Sequence, residues 1–154
     1  MNAQKASAQE SLSTQADHVL EEARTILPGA QALFGFQLIA VFNQRFESLT
    51  QIQQHLHLGA LFAVAIAIAL IMTPAIYHRQ TQPHEVSRTF LSLATRCLMA
   101  STYPLLVGIA LEFYIVSALV IARPPVSYAV TGVLVAVFGA LWFALPWRRK
   151  RTRR

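Results

Sequence analysis

Apolar residues in this chain come in four blocks separated by short polar links. Helices of soluble domains carry one apolar stripe and soluble strands alternate, whereas whole blocks here lack a polar face. Runs of about twenty such residues match the helix length that crosses a hydrocarbon core. The pattern predicts an all-α fold, an integral membrane bundle of four transmembrane helices with a short amphipathic N-terminal helix. The spans read as about 28–44, 56–76, 97–122 and 126–147 within a membrane domain over 14–147. A disordered N-terminal tail over 1–13 and a basic tail over 148–154 flank it.

Local signals refine the blocks. Met1 to Ser13 is polar and rich in small residues, and lacks the basic start and apolar middle of a cleaved secretory signal. Thr14 is a helix N-cap candidate with Asp17 three residues on,. Ala16, Val19, Leu20, Ala23 and Leu27 follow at helical spacing. That amphipathic helix either lies in the headgroup plane or is a polar extension of the first span. Pro28-Gly29 predicts an interruption, because proline disfavours a helical residue before it and suits the first turn of a new helix. The first span is the least oily, and Gln37 and Gln44, seven apart, are expected to point together into the bundle,.

Gly59, Ala63 and Ala67 on the second span, and Gly132, Ala136 and Ala140 on the fourth, form small-residue stripes that allow close helix approach,. Leu61, Ile68 and Met72 fall on the other face of the second span, open to lipid. Pro74 and Pro104 are expected to kink the second and third spans. Arg123-Pro124-Pro125 ends the third span, and so short a link makes the fourth its antiparallel neighbour.

Composition agrees with the pattern: 55% of residues are hydrophobic and 13% charged, against about a quarter charged in ordinary soluble domains. The net charge of +6 suggests nucleic acid until its distribution is read, for six of thirteen basic residues crowd the last seven positions. Beside a span, Arg148, Arg149, Lys150 and Arg151 would attract anionic lipid headgroups, and no nucleic-acid partner is expected. Tyr77, His78, Arg79, Arg96 and Trp147 read as further interface anchors. Placing both termini in the cytoplasm puts eleven basic residues inside and only Arg45 and Arg123 outside, which satisfies the positive-inside rule.

The sharpest chemical feature is Glu112, the one formal charge between Cys97 and Ala122 and close to the middle of that run. An ionised acid at such depth costs roughly 2.5 to 3.5 kcal/mol on insertion scales; a protonated carboxyl that donates a hydrogen bond costs less. Gln37, at similar depth on the first span, is its expected partner, with Arg45 nearby. The group is either a proton or cation site or a structural hydrogen bond between helices. Arg45 and Glu47 could pair in the outer link. His55 and His57 diverge by about 200° on a helix and are poorly placed for one metal. His78 and Arg79 could meet a lipid phosphate or respond to pH. Cys97 is the only cysteine, so no internal disulfide or CxxC site exists. No Walker loop, HExxH, GxSxG or dinucleotide fingerprint occurs. Neither an enzyme nor a bound cofactor or metal is expected.

Two segments are distinctive together, LEEARTILPGAQALFGFQLIAVFNQRF (Leu20 to Phe46) and TPAIYHR (Thr73 to Arg79). They resemble a family of small bacterial, often actinobacterial, four-helix membrane proteins classed as a domain of unknown function, over about Asp17 to Ala122. Some members carry a sodium:proton antiporter label. The resemblance implies a multi-pass protein of a bacterial plasma membrane and brings no catalytic residues. Two functions follow as expectations: a structural or accessory protein that packs with itself or a membrane partner, and a proton-linked carrier or channel subunit built on Glu112.

Overall fold

Ala16, Ala23, Ala30 and Gln37 recur at seven-residue intervals and form one side of the first helix. The computed structural model describes the backbone of residues 2–81 and 86–152 and the side chains of 11–81 and 86–148. Helix α1 runs unbroken from Asn2 to Ala40 with Pro28 inside it, which corrects the expected interruption at Pro28-Gly29. Ala16, Ala30 and Gln37 are buried in phase on both sides of the proline, and Pro28 itself is exposed. Packing along one face thus carries the helix past a single lost backbone bond. The tail expected over 1–13 is likewise helical from Asn2. Extending a formed helix through Ala, Gln, Lys and Glu is inexpensive. The amphipathic segment is therefore the extension of the longer helix, and its apolar side sits on protein: Ala16 clusters with Phe90 and Ala94, flanked by Val19, Leu20 and Tyr77.

After α1, Asn43 caps a 3-10 turn, Gln44–Phe46, by accepting from the Arg45 amide at 3.0 Å. Gln44 falls in this turn and is exposed, so it does not share the buried face of Gln37. Helix α2, Gln51–Thr81, opens with a reciprocal cap: Thr50 N–H donates to Gln53 Oε1 at 2.9 Å and Gln53 N–H to Thr50 Oγ1 at 3.3 Å,. Ser87 caps α3, Arg88–Ile121, through the Phe90 amide. The α3 C-cap, Ala122, has a left-handed backbone (φ 52°). Helix α4, Pro124–Gly139, then passes through a π turn, Ala140–Ala144, into α5, Leu145–Thr152. Leu145 N–H bonds to the Ala140 carbonyl, five residues back. Pro146 has no N–H for the Trp142 carbonyl and its ring would crowd it, so the wider turn sits where an α-helical one would be strained.

Three helices are long and apolar enough to cross a membrane: Gln51–Thr81, Arg88–Ile121 and the α4–α5 rod over Pro124–Arg148, with mean hydropathies of 2.4, 2.2 and 2.1. Helix α1 is not among them. Helices α2 and α3 share the largest interface, and its centre is a close approach at Gly108. A Cβ there would lie 2.5 Å from Val64 Cγ2 and 3.2 Å from the Ala60 carbonyl. Ala60, Ala63, Val64 and Ala67 are buried alongside, so the small-residue side of α2 is its packing face. Of the residues expected on the other face, Met72 is exposed while Leu61 and Ile68 are half-buried. Helix α1 rests on both α2 and α3, whereas α4 packs chiefly on α3. The most apolar stretch of the α4 rod is unburied, and nothing lies within 4 Å of a Cβ placed on Gly132. Its stripe of Gly132, Ala136 and Ala140 is exposed along its length. Three helices cluster and the fourth flanks them.

Candidate functional site

Gln37, His57 and Glu112 meet where α1 ends, α2 begins and α3 nears its end. Gln37 Nε2 donates to Glu112 Oε1 at 3.1 Å. His57 Nδ1 lies 2.8 Å from the same oxygen. His57 Nε2 lies 3.0 Å from the backbone carbonyl of Gln37, in the last turn of α1, where the helix dipole favours a positive donor. The Phe46 and His57 rings meet in a T-shaped arrangement, with centroids 5.2 Å apart. Gln37 and His57 are 3% and 4% exposed, so the network is dry on that side. Gln37 Oε1 is buried without a hydrogen-bond partner, leaving the network one bond short of full satisfaction.

The geometry sets a minimum proton count. A backbone carbonyl only accepts, so His57 Nε2 carries hydrogen in every state that keeps the contact. The short Nδ1–Oε1 contact then needs one shared proton: either imidazolium against carboxylate, or neutral imidazole accepting from a protonated carboxyl. Removing that proton sets two lone pairs face to face, whereas a further proton on Glu112 Oε2 leaves Oε1 free to accept, so the contact requires at least one proton,. With one proton the three side chains carry no net charge in either arrangement.

Glu112 also lines a cavity of about 200 Å³ together with Asn43, Arg45, Phe46, His57 and Ile115. The structure thus brings Gln37, Glu112 and Arg45 to one place. Gln37 touches the carboxylate, while Arg45 lines the cavity wall and, among the described residues, forms no ion pair. The pairing considered for Arg45 and Glu47 is absent, because both side chains are exposed on a 3-10 turn where little holds them together,. The depth assignment is corrected too. His57 stands at the first turn of the apolar run beginning at Leu56, so its contact sets Glu112 level with the end of that run. Helix α3 continues to Ile121, about 14 Å beyond, which is why counting along α3 alone put the acid near the middle.

Sequence reasoning weighed His57 only as a metal ligand beside His55. The available signal was the one that exposed Glu112: His57 is the lone titratable group in an otherwise uncharged apolar run. Among the described residues no three or more His, Cys, Asp or Glu side chains gather as a metal site. The expected interface residues divide. Tyr77 stacks on Phe90 with centroids 6.5 Å apart and His78 lies at 4.9 Å from the same ring, so both help hold α2 to α3. Arg79, Arg96, Trp147 and Arg148 are exposed. His84 and Glu85 of the second link, and the side chains of Arg149, Lys150 and Arg151, lie outside the described residues.

No curated protein and no solved structure matches the chain. A family model described as a family of unknown function (DUF6328) matches residues 5–146, which takes in most of α1, all of α2, α3 and α4, and the π turn. The chain belongs to this family.

Proposed function

We propose that this is a non-enzymatic, multi-pass membrane protein with a structural or accessory role, in which the Gln37–His57–Glu112 network sets the register of three helices. The observation that carries this reading is that Glu112 is engaged by side chains of two other helices, so the acid has a role without any ligand. Such a network is weak as a source of stability and stronger as a device for one specific packing. The unburied face of α4 is where a second copy or a membrane partner would pack. In this proposal α1 completes four spans, both termini are cytoplasmic, and the membrane is a bacterial plasma membrane with anionic lipids at the basic tail.

A second reading is favoured by the cavity beside Glu112. A proton-sharing carboxyl–imidazole pair reached from an Asn43- and Arg45-lined space suits a proton-linked cation carrier or channel subunit of the sodium:proton type. Liposomes loaded with a pH-sensitive dye separate the two. The accessory reading expects no proton movement above empty vesicles when sodium or potassium gradients are imposed. Flux that Glu112→Gln abolishes would overturn it in favour of the carrier.

A further inference from the structure

At the opposite end of the helices from Glu112, a cleft of about 580 Å³ separates α1 from α2. Its walls are apolar, with Leu27 on α1 and Met72 and Ile76 on α2, and its rim carries Arg24, His78 and Arg79. We infer that this cleft binds a single anionic glycerophospholipid, its phosphate held by Arg24 and Arg79 and an acyl chain lying along Leu27, Met72 and Ile76.

Three observations converge on that occupant. The first is level. Arg79 stands one turn beyond Ile76, the last residue of the second apolar run, and Arg24 directly precedes the uncharged stretch that begins at Thr25. Both guanidinium groups therefore sit at the boundary where apolar sequence gives way to polar, the depth of lipid phosphates. The second is charge. Guanidinium forks match phosphate oxygens in pairs. Arg79 forms no ion pair among the described residues. Arg24 has one, to Glu21 at 3.7 Å, but both side chains are more than two-thirds exposed, and such a pair is weak enough for a phosphate to displace. His78 adds an Nδ1 that is buried without a hydrogen-bond partner. The third is the apolar wall, which a free phosphate would leave unused and a lipid chain would cover.

The test is lipid retention by the purified full-length chain, measured by native mass spectrometry from detergent micelles doped with phosphatidylglycerol or phosphatidylcholine. One phosphatidylglycerol per chain is expected to survive, and phosphatidylcholine to be lost. Arg24→Gln with Arg79→Gln should lower retention about tenfold by removing both phosphate contacts. Ala75→Trp, which keeps both arginines and fills the exposed cleft, should lower it similarly. Arg88→Gln with Arg96→Gln removes the same charge from the same end and should leave it unchanged. Equal retention of the two lipids, an unaffected Arg24/Arg79 variant or an unaffected Ala75→Trp variant would overturn the site. Displacement by millimolar inorganic phosphate would overturn the lipid assignment by showing a bare anion site.

Discussion

The imidazole of His57 stands between a carboxylate and a helix end: Nδ1 is 2.8 Å from Glu112 Oε1 and Nε2 is 3.0 Å from the carbonyl of Gln37. One ring thereby joins all three packed helices, since Gln37 belongs to α1 and Glu112 to α3. Its two nitrogens differ in kind. One is held as a donor by the backbone, and only the other can change its proton.

Breaking this join on one side should cost far more than replacing it. His57→Phe leaves a buried carboxylate with the Gln37 amide alone and should destabilise the protein by about 3–5 kcal/mol, the usual result of removing half of a buried charged pair. Replacing the whole network by apolar residues, Gln37→Leu with His57→Leu and Glu112→Leu, should come within about 2 kcal/mol of the parent. Unfolding in mixed micelles followed by circular dichroism measures both. A triple variant as unstable as His57→Phe would show that the network is itself a stabilising element.

Glu112→Gln makes a separate prediction. With its nitrogen in the place of Oε1, the new amide can donate one hydrogen to His57 Nδ1 and the other to Gln37 Oε1, once the Gln37 amide turns over to present that oxygen,. Its stability should lie within about 1 kcal/mol of the parent, with unchanged elution on size exclusion. A large loss would mean that the carboxylate form, with its imidazolium, dominates the folded protein.

The α2–α3 contact should be sensitive to one methyl group. Gly108→Ala places a Cβ against Val64 and the Ala60 carbonyl and should cost about 1–3 kcal/mol by overpacking. Val64→Ala in the same chain should recover part of the loss, measured as a double-mutant cycle. Gly132→Ala on α4, with nothing nearby, serves as the neutral comparison.

How far these features were legible in the sequence depends on their range. The long helices follow from composition alone, because a helix satisfies its own backbone and an uninterrupted apolar block leaves no other economical state. The Gln37–Glu112 contact was legible because polar groups at matched depth in apolar helices seek each other. His57 was missed because depth was counted along α3 without knowing how far α3 overshoots α2. Pro28 misled because its local preference was outweighed by a packed face, yet that face was visible as the seven-residue recurrence of Ala16, Ala23, Ala30 and Gln37. The π turn and the peripheral position of α4 depend on which neighbours a helix finds, and no residue pattern announces that.

Ala122 makes a further prediction in the opposite direction, toward greater stability. A left-handed backbone costs a non-glycine residue roughly 1–2 kcal/mol. Ala122→Gly should recover about 0.5–1 kcal/mol of this after the flexibility of glycine in the unfolded chain is counted. Ala122→Val should lower the midpoint of unfolding, since a β-branched residue tolerates that conformation poorly.

Topology can be read from cysteine accessibility. In a Cys97→Ser background, single cysteines at Ser13 and at Thr152 should both react with an impermeant maleimide only after the cytoplasmic side is opened. Labelling of the two from opposite sides would leave α1 outside the membrane and reduce the spans to three.

The continuity of α1 has a mechanical consequence. A helix of 39 residues is about 58 Å long, nearly twice the thickness of a hydrocarbon core of about 30 Å. In a four-span arrangement, a large part of this rod would stand clear of the bilayer. Its last turn holds Gln37, whose amide and carbonyl both touch the shared-proton pair. A tilt or twist applied to the projecting part would be delivered, as by a lever, to the Gln37–His57–Glu112 contact.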